Sequence, residues 1–226
     1  AKQRRLVTLV TEQIYEKEKN NQMMISILSH IMEFRNGESG LHVHHINVLT
    51  SMLLERLVQK TDRYHLSWSD QLMITTASAL HDIGKIAIPD RILNKAGRLT
   101  DEEYDVMKSH VIRGAEILKN FTFIEHVDEG ALYHHERYDG GYVNGLKGEQ
   151  IPLNARIIGI ADAFDAMTAN RVYRKKLDLD FVLNELEKGK GTQFDPKLVE
   201  ILLGLLEDGT IDVESLYGRK DILEQS

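Results

Sequence analysis

Histidines and carboxylates recur along this chain at helix-sized intervals, and that pattern restricts the fold more than any other feature. His42 is followed by the pair His81-Asp82, by His110, by the doublet His134-His135 and by Asp162; from His81 on, the groups are spaced by roughly 25 to 30 residues. In a helical chain such an interval is one helix plus its turn. Each group can then sit at a similar height in a bundle and point inward, which is how helical bundles build metal sites.

The sequence around these groups reads as helix. Only three prolines occur in 226 residues, and alternating strand-like segments are few. Apolar periodicity predicts helices over about 40–60, 69–83, 100–119, 122–137, 154–170, 178–188 and 196–207. Thr100 with Glu103 has the spacing of a capping box, Gly84 reads as the residue closing the helix over 69–83, and Asp195-Pro196 reads as N-cap then first helical residue. The glycine-rich stretch from Tyr138 to Pro152 is the longest loop between helices, and long ordered loops in compact domains are often functional.

Residues 2–35 read as one long, charged helix ended by Asn36-Gly37. Its apolar positions (Leu6, Val10, Ile14, Ile27, Leu28, Ile31) flank a polar middle, Glu16 to Gln22, with no apolar stripe. This predicts a connecting or dimerisation helix, residues 1–35, ahead of a domain over 36–226. The chain opens at Ala1 already in helix, which suggests a piece of a longer protein.

Charge and composition narrow the function. A formal net charge of −7 argues against long nucleic acid as a partner but leaves room for a small anion at a locally basic site. The chain has no cysteine, hence no disulfide or thiolate metal site, which fits a reducing cytoplasm. No apolar run suggests a membrane span.

Imidazole and carboxylate together suit first-row metals such as iron, manganese or zinc. An acid next to a histidine, as in His81-Asp82, can bridge two ions, and Glu38 would share a helical face with His42 four residues later. A carboxylate inside the apolar stretch Ile157 to Met167 would be costly to bury without a counter-charge, which metal supplies. His30, His44, His45, His65 and His126 read as ordinary surface or core histidines.

Several segments in one order carry a resemblance: His81-Asp82-Ile83-Gly84-Lys85, His134-His135-Glu136-Arg137, Gly145-Leu146-Lys147-Gly148, Ile151-Pro152 and Ala161-Asp162-Ala163-Phe164-Asp165-Ala166-Met167-Thr168. Over roughly residues 28 to 205 the chain resembles the HD-GYP family, the bacterial cyclic di-GMP phosphodiesterases of the HD superfamily. The resemblance implies an all-α HD-domain bundle and hydrolysis of cyclic di-GMP to linear pGpG, GMP or both. It implies two or three divalent ions, iron or manganese, held by His42, His81, Asp82, His110, His134, His135 and Asp162, with Glu38 accompanying a third. Lys85 matches the lysine facing the phosphate, and Arg171 and Arg174 match basic residues holding the ligand's phosphates; Tyr142 falls in the loop that shapes the substrate entrance. One departure is clear. The family loop carries proline after its Gly-Tyr, whereas Asp139-Gly140-Gly141-Tyr142-Val143-Asn144-Gly145 is one residue shorter and has valine there. Two alternatives stay open at this point: a catalytically weak dinucleotide sensor signalling through the N-terminal helix, and a different HD-type phosphohydrolase.

Overall fold

The computed structural model describes residues 2–36, 41–61, 63–120, 124–169 and 177–217. Helices run in the order α1 Lys2–Arg35, α2 His42–Lys60, α3 Trp68–Leu80, α4 Asp90–Leu93, α5 Asp101–Lys108, α6 His110–Leu118, α7 Val127–Tyr133, α8 Leu153–Thr168, α9 Leu179–Gly189, α10 Pro196–Glu207 and α11 Val213–Tyr217, with 3₁₀ turns at Ile83–Ala87 and Gly148–Gln150. No strand forms among the described residues. The fold is the all-α bundle expected.

Local signals set most boundaries. Ser67 and Asp70 cap α3 reciprocally, Thr100 and Glu103 do the same for α5, and the Asp195 side chain accepts the Lys197 N–H ahead of Pro196. Two boundaries differ from expectation. The helix over 100–119 breaks at Ser109, where the Ser109 hydroxyl donates to the Val106 carbonyl and His110 Nδ1 to the Met107 carbonyl, so two side chains take carbonyls the next turn would have used. Of the helix expected over 122–137, the described residues form only Val127–Tyr133. It is preceded by His126 in a left-handed conformation (φ 64°), and His134 and His135 lie just past its last turn.

Gly84 is also not the helix-closing residue expected of it. Helix α3 ends at Leu80, and Gly84 lies in the following 3₁₀ turn. A Cβ there would sit 1.9 Å from the His110 carbonyl oxygen and 2.4 Å from the Gly114 nitrogen, so glycine is required by the close approach of α6 rather than by a turn.

The larger core joins α2, α8, α9 and α10 through residues such as Ile46, Leu53, Phe164, Val182 and Leu202, all buried. A smaller core joins α3, α6 and α7 to the end of α1 through Ile25, Met32, Leu80, Leu118 and Val127. Among the described side chains of α1 the buried ones lie in its last third, at Ile25, Ser29, Met32 and Glu33, while Val10, Ile14, Ile27, Leu28 and Ile31 are exposed. No helix among the described residues is long and apolar enough to cross a membrane.

Candidate metal centre

The side chains that sequence reading grouped converge between the two cores. His42 opens α2, and His81 and Asp82 sit between α3 and the 3₁₀ turn. His110 opens α6, His134 and His135 follow α7, and Asp162 lies on α8. One nitrogen or oxygen from each of Asp82, His110, His134 and His135 lies within 4.8 Å of the others, and the same holds for His42, His81 and Asp82. A transition-metal ion bonds nitrogen and oxygen at about 2.0–2.2 Å, so ligand atoms of one site stand about 3–4.4 Å apart. Both groups come close to that spacing, and Asp82 belongs to each. Asp162 Oδ1 is 3.7 Å from His42 Nε2 on the same side. Glu38, Arg171 and Arg174 lie outside the described residues.

Helix backbone sets the imidazoles. His81 Nδ1 donates to the Ser78 carbonyl at 2.7 Å, His110 Nδ1 to the Met107 carbonyl at 2.7 Å, and His134 Nδ1 to the Ala131 carbonyl at 3.0 Å. A carbonyl only accepts, so each Nδ1 carries a proton and each ring turns its Nε2 toward Asp82, as a lone pair where the ring is neutral. Nε2 to carboxylate distances are 3.4, 3.5 and 3.8 Å. These three Nε2 atoms and Asp82 Oδ1 are buried with no hydrogen-bond partner among the described residues. An orphaned buried polar atom costs about 1–3 kcal/mol. Four of them gathered around the Asp82 carboxylate, in two groups, fit bound cations, which accept such lone pairs.

Electrostatics divide the imidazoles: burial opposes the charge of His81, but the Asp82 carboxylate outweighs it and raises His81 above the ordinary histidine range, whereas three other rings move down. Burial pushes the His135 imidazole down to about 4, and pushes His134 well below and His110 below the ordinary histidine range. These rings are therefore neutral near pH 7 and shed no proton to bind a metal. Burial opposes ionisation of Asp82, but the Lys85 ammonium and His81 outweigh it and hold the carboxyl well below its usual range. Lys85 Nζ lies 2.6 Å from Asp82 Oδ2.

A partner shell appears that sequence reading missed. His45, read as an ordinary histidine, is buried, and its Nδ1 lies 3.1 Å from Asp165 Oδ1; His42 Nδ1 donates to Asp165 Oδ2 at 2.7 Å. Asp165 thus orients His42 as carboxylates orient metal-binding histidines. Burial would raise its carboxyl, yet the two histidines hold it at about 2. A signal existed: His42 and His45, like Asp162 and Asp165, are three apart and share a helical face. Asp165→Asn is expected to weaken metal affinity about 10- to 100-fold while leaving the fold intact; calorimetric manganese titration checks this, and unchanged affinity would remove Asp165 from the centre.

The variant loop is held in place. Buried Glu136 accepts the Asn144 N–H at 2.8 Å, the Asn144 side-chain amide at 3.0 Å and the Leu146 N–H at 3.2 Å, so the asparagine next to the altered Val143 ties the loop down. Tyr138 and Asp139 donate their N–H groups to the Gln193 and Thr192 carbonyls. The Tyr142 ring then stands 5.7 Å from the His135 ring, its hydroxyl pushed up to about 12 by burial.

Comparison with known proteins follows the same lines. The HD domain family matches residues 12–198. A Vibrio cholerae protein named 3′3′-cGAMP-specific phosphodiesterase 2 is 42% identical over 179 residues, covering 78% of this chain and 33% of its own length. The Xanthomonas campestris cyclic di-GMP phosphodiesterase response regulator RpfG is 40% identical over 207 residues, covering 90% of this chain and 52% of its own length. The chain therefore spans a third to a half of these relatives. A crystal structure of a cyclic GMP-AMP specific phosphodiesterase of Vibrio cholerae, V-cGAP3, superposes with a TM-score of 0.65 over 90% of this chain and 51% of that one, at 21% identity, which shows a shared fold. With its motifs of the HD-GYP type in order, its helical bundle shared and the HD domain matched over most of its length, the chain belongs to the HD-domain family.

Proposed function

We propose that this chain is the hydrolytic domain of a metal-dependent cyclic-dinucleotide phosphodiesterase that cleaves cyclic di-GMP to linear pGpG, GMP or both. The observation that carries the reading is the convergence of histidine lone pairs on Asp82, which two ligand groups share, beside the Lys85 ammonium. The names of the relatives, phosphodiesterases of cyclic di-GMP and of 3′3′-cGAMP, support the substrate class.

Hydrolysis adds water across a P–O3′ bond, leaving a 5′-phosphate and a 3′-hydroxyl. Two or three bound divalent ions, iron or manganese in our reading, would supply an activated water and a clamp on a phosphate oxygen. Asp82 would be shared between ions, with His42 and His81 on one side and His110, His134 and His135 on the other; Asp162 and Glu38 complete the proposed set. Lys85 neutralises charge gathering on the phosphoryl oxygens. Arg171 and Arg174 hold the second phosphate by charge-assisted hydrogen bonds, and Tyr142 lines the entrance beside His135. Among the described residues the site does not favour a weak sensor: the altered loop is tied down by Glu136, and the expected ligands lie together.

Protein reconstituted anaerobically with iron or manganese is expected to carry two or three metal equivalents and to turn over cyclic di-GMP in a panel with 3′3′-cGAMP and cyclic di-AMP, with products resolved by chromatography. Metal content near zero would sink the metal reading. A loaded protein that binds the dinucleotide without turnover would return it to the sensor class.

Residues 1–35 we assign to a connecting helix that pairs two copies or joins an upstream receiver or sensory domain, with the protein in the cytoplasm. The word "response regulator" in one relative's name supports such an input. Deleting residues 1–22 removes exposed Val10, Ile14 and Tyr15 but keeps buried Ile25, Ser29 and Met32. The expected result is a drop in solution mass from dimer to monomer with little loss of thermal stability. Unchanged mass with a sharp stability loss would make the segment a packing helix.

A further inference from the structure

The last turn of α1 reaches toward the centre at two points. Glu33 is buried, and its Oε1 accepts the backbone N–H of Val43 at 2.6 Å. The leading N–H groups of a helix have no partner within it, and Leu41, ahead of α2, provides no side-chain cap. The cap of α2 therefore comes from another helix, and the residue next to it is His42. A carboxylate there also meets the positive end of the α2 dipole.

Arg35 makes the second contact. Its Nη1 donates to the Lys85 carbonyl at 2.8 Å and the Ile86 carbonyl at 2.7 Å, and its Nη2 to the Ile88 carbonyl at 2.7 Å and to Asp90 Oδ1 at 2.9 Å. The Asp90 pairing alone would be worth little, because that carboxylate is 74% exposed. The three carbonyls matter more. They belong to the end of the 3₁₀ turn that projects Lys85 to Asp82, and a planar guanidinium fork holds them in one geometry. The Arg35 carbonyl is held in turn by the Asn94 side-chain amide at 3.2 Å.

We infer that Glu33 and Arg35 are positioning residues: Glu33 sets His42 through the N-terminus of α2, and Arg35 sets Lys85 through the 3₁₀ turn. One helical turn thereby fixes a metal ligand and the phosphate-facing lysine together, so a shift of α1 moves both. The Arg35 half rests on the phosphodiesterase reading; the Glu33 half rests only on metal binding.

The test uses the full chain and five proteins: wild type, Glu33→Ala, Glu33→Gln, Arg35→Ala and Arg35→Lys. Manganese affinity of the metal-free protein, kcat and KM for cyclic di-GMP, and the thermal midpoint are measured for each. Glu33→Ala is expected to lose about tenfold or more in manganese affinity, the range seen when an outer partner of a ligand is removed. Glu33→Gln keeps an acceptor oxygen at the same reach and is expected to stay within about threefold of wild type. Arg35→Ala is expected to keep manganese affinity but lose about tenfold in kcat, and Arg35→Lys, with no fork, not to restore it. If Glu33→Ala does not fold, Glu33→Asp draws the acceptor back by one methylene and is expected to show an intermediate loss of affinity. Variants that lower the thermal midpoint but leave manganese affinity, kcat and KM at wild-type values would overturn the inference. If the wild type turns over no cyclic dinucleotide, the phosphodiesterase reading fails while the Glu33 arm still decides; the Arg35 arm is then read from inorganic-phosphate affinity of the manganese-loaded protein, which Arg35→Ala should weaken.

Discussion

Asp82→Ala is expected to abolish turnover and strip most of the bound metal. Asp82 stands in both ligand groups, with His81, His110 and His134 Nε2 atoms 3.4, 3.5 and 3.8 Å from its oxygens and Lys85 Nζ at 2.6 Å. Alanine removes the one carboxylate common to both sites and leaves the Lys85 ammonium facing a cation centre with no anion between them. A metal clamp supplies several kcal/mol to a transition state, and each 1.36 kcal/mol is about tenfold in rate. A loss of three orders of magnitude or more follows. Elemental analysis and single-turnover assays on protein shown to be folded by circular dichroism check it. Retention of more than about a tenth of wild-type activity would mean that Asp82 is not the shared ligand.

Gly84→Ala is expected to have the largest effect on stability. The three atoms nearest the added methyl would all be α6 backbone: the His110 oxygen at 1.9 Å, the Gly114 nitrogen at 2.4 Å and the Gly114 Cα at 2.9 Å. No side chain can swing away, so α6 must move from the 3₁₀ turn. Overpacking costs typically about 1–3 kcal/mol and occasionally more, and a backbone clash belongs at the upper end. For a chain of this size that lowers the thermal midpoint by roughly 6–12 °C. Because His110 opens α6, the same movement draws its Nε2 from Asp82, and manganese affinity should fall with stability. Gly204→Ala is the control. A Cβ there meets nothing within 4 Å, and the residue lies inside α10. That change should stabilise by about 0.5–1 kcal/mol. A Gly84→Ala midpoint within a degree or two of wild type would show that the two segments are not locked together.

How much of this was legible beforehand depends on the range of the interaction. Helices α2, α8, α9 and α10 fall within two residues of their periodic patterns and α3 within three, because the apolar stripe and caps such as Asp195-Pro196 are local and written in consecutive residues. The grouping of His42, His81-Asp82, His110, His134-His135 and Asp162 was legible for a related reason: their spacing matches one helix and its turn. What only the tertiary structure decided involves partners far apart in the chain. Asp165 joins His42 and His45 across more than a hundred residues, Arg35 reaches carbonyls some fifty residues away, and Gly84 is required by a helix that begins at His110. The same holds for α1, whose apolar residues lie on more than one side; burial of Ile25 and Met32 rather than Ile27 and Leu28 depends on where α3 and the 3₁₀ turn stand. Periodicity records which residues are apolar along one helix, whereas hydrogen bonds between helices and close backbone approach depend on how the helices pack, and no local pattern encodes that.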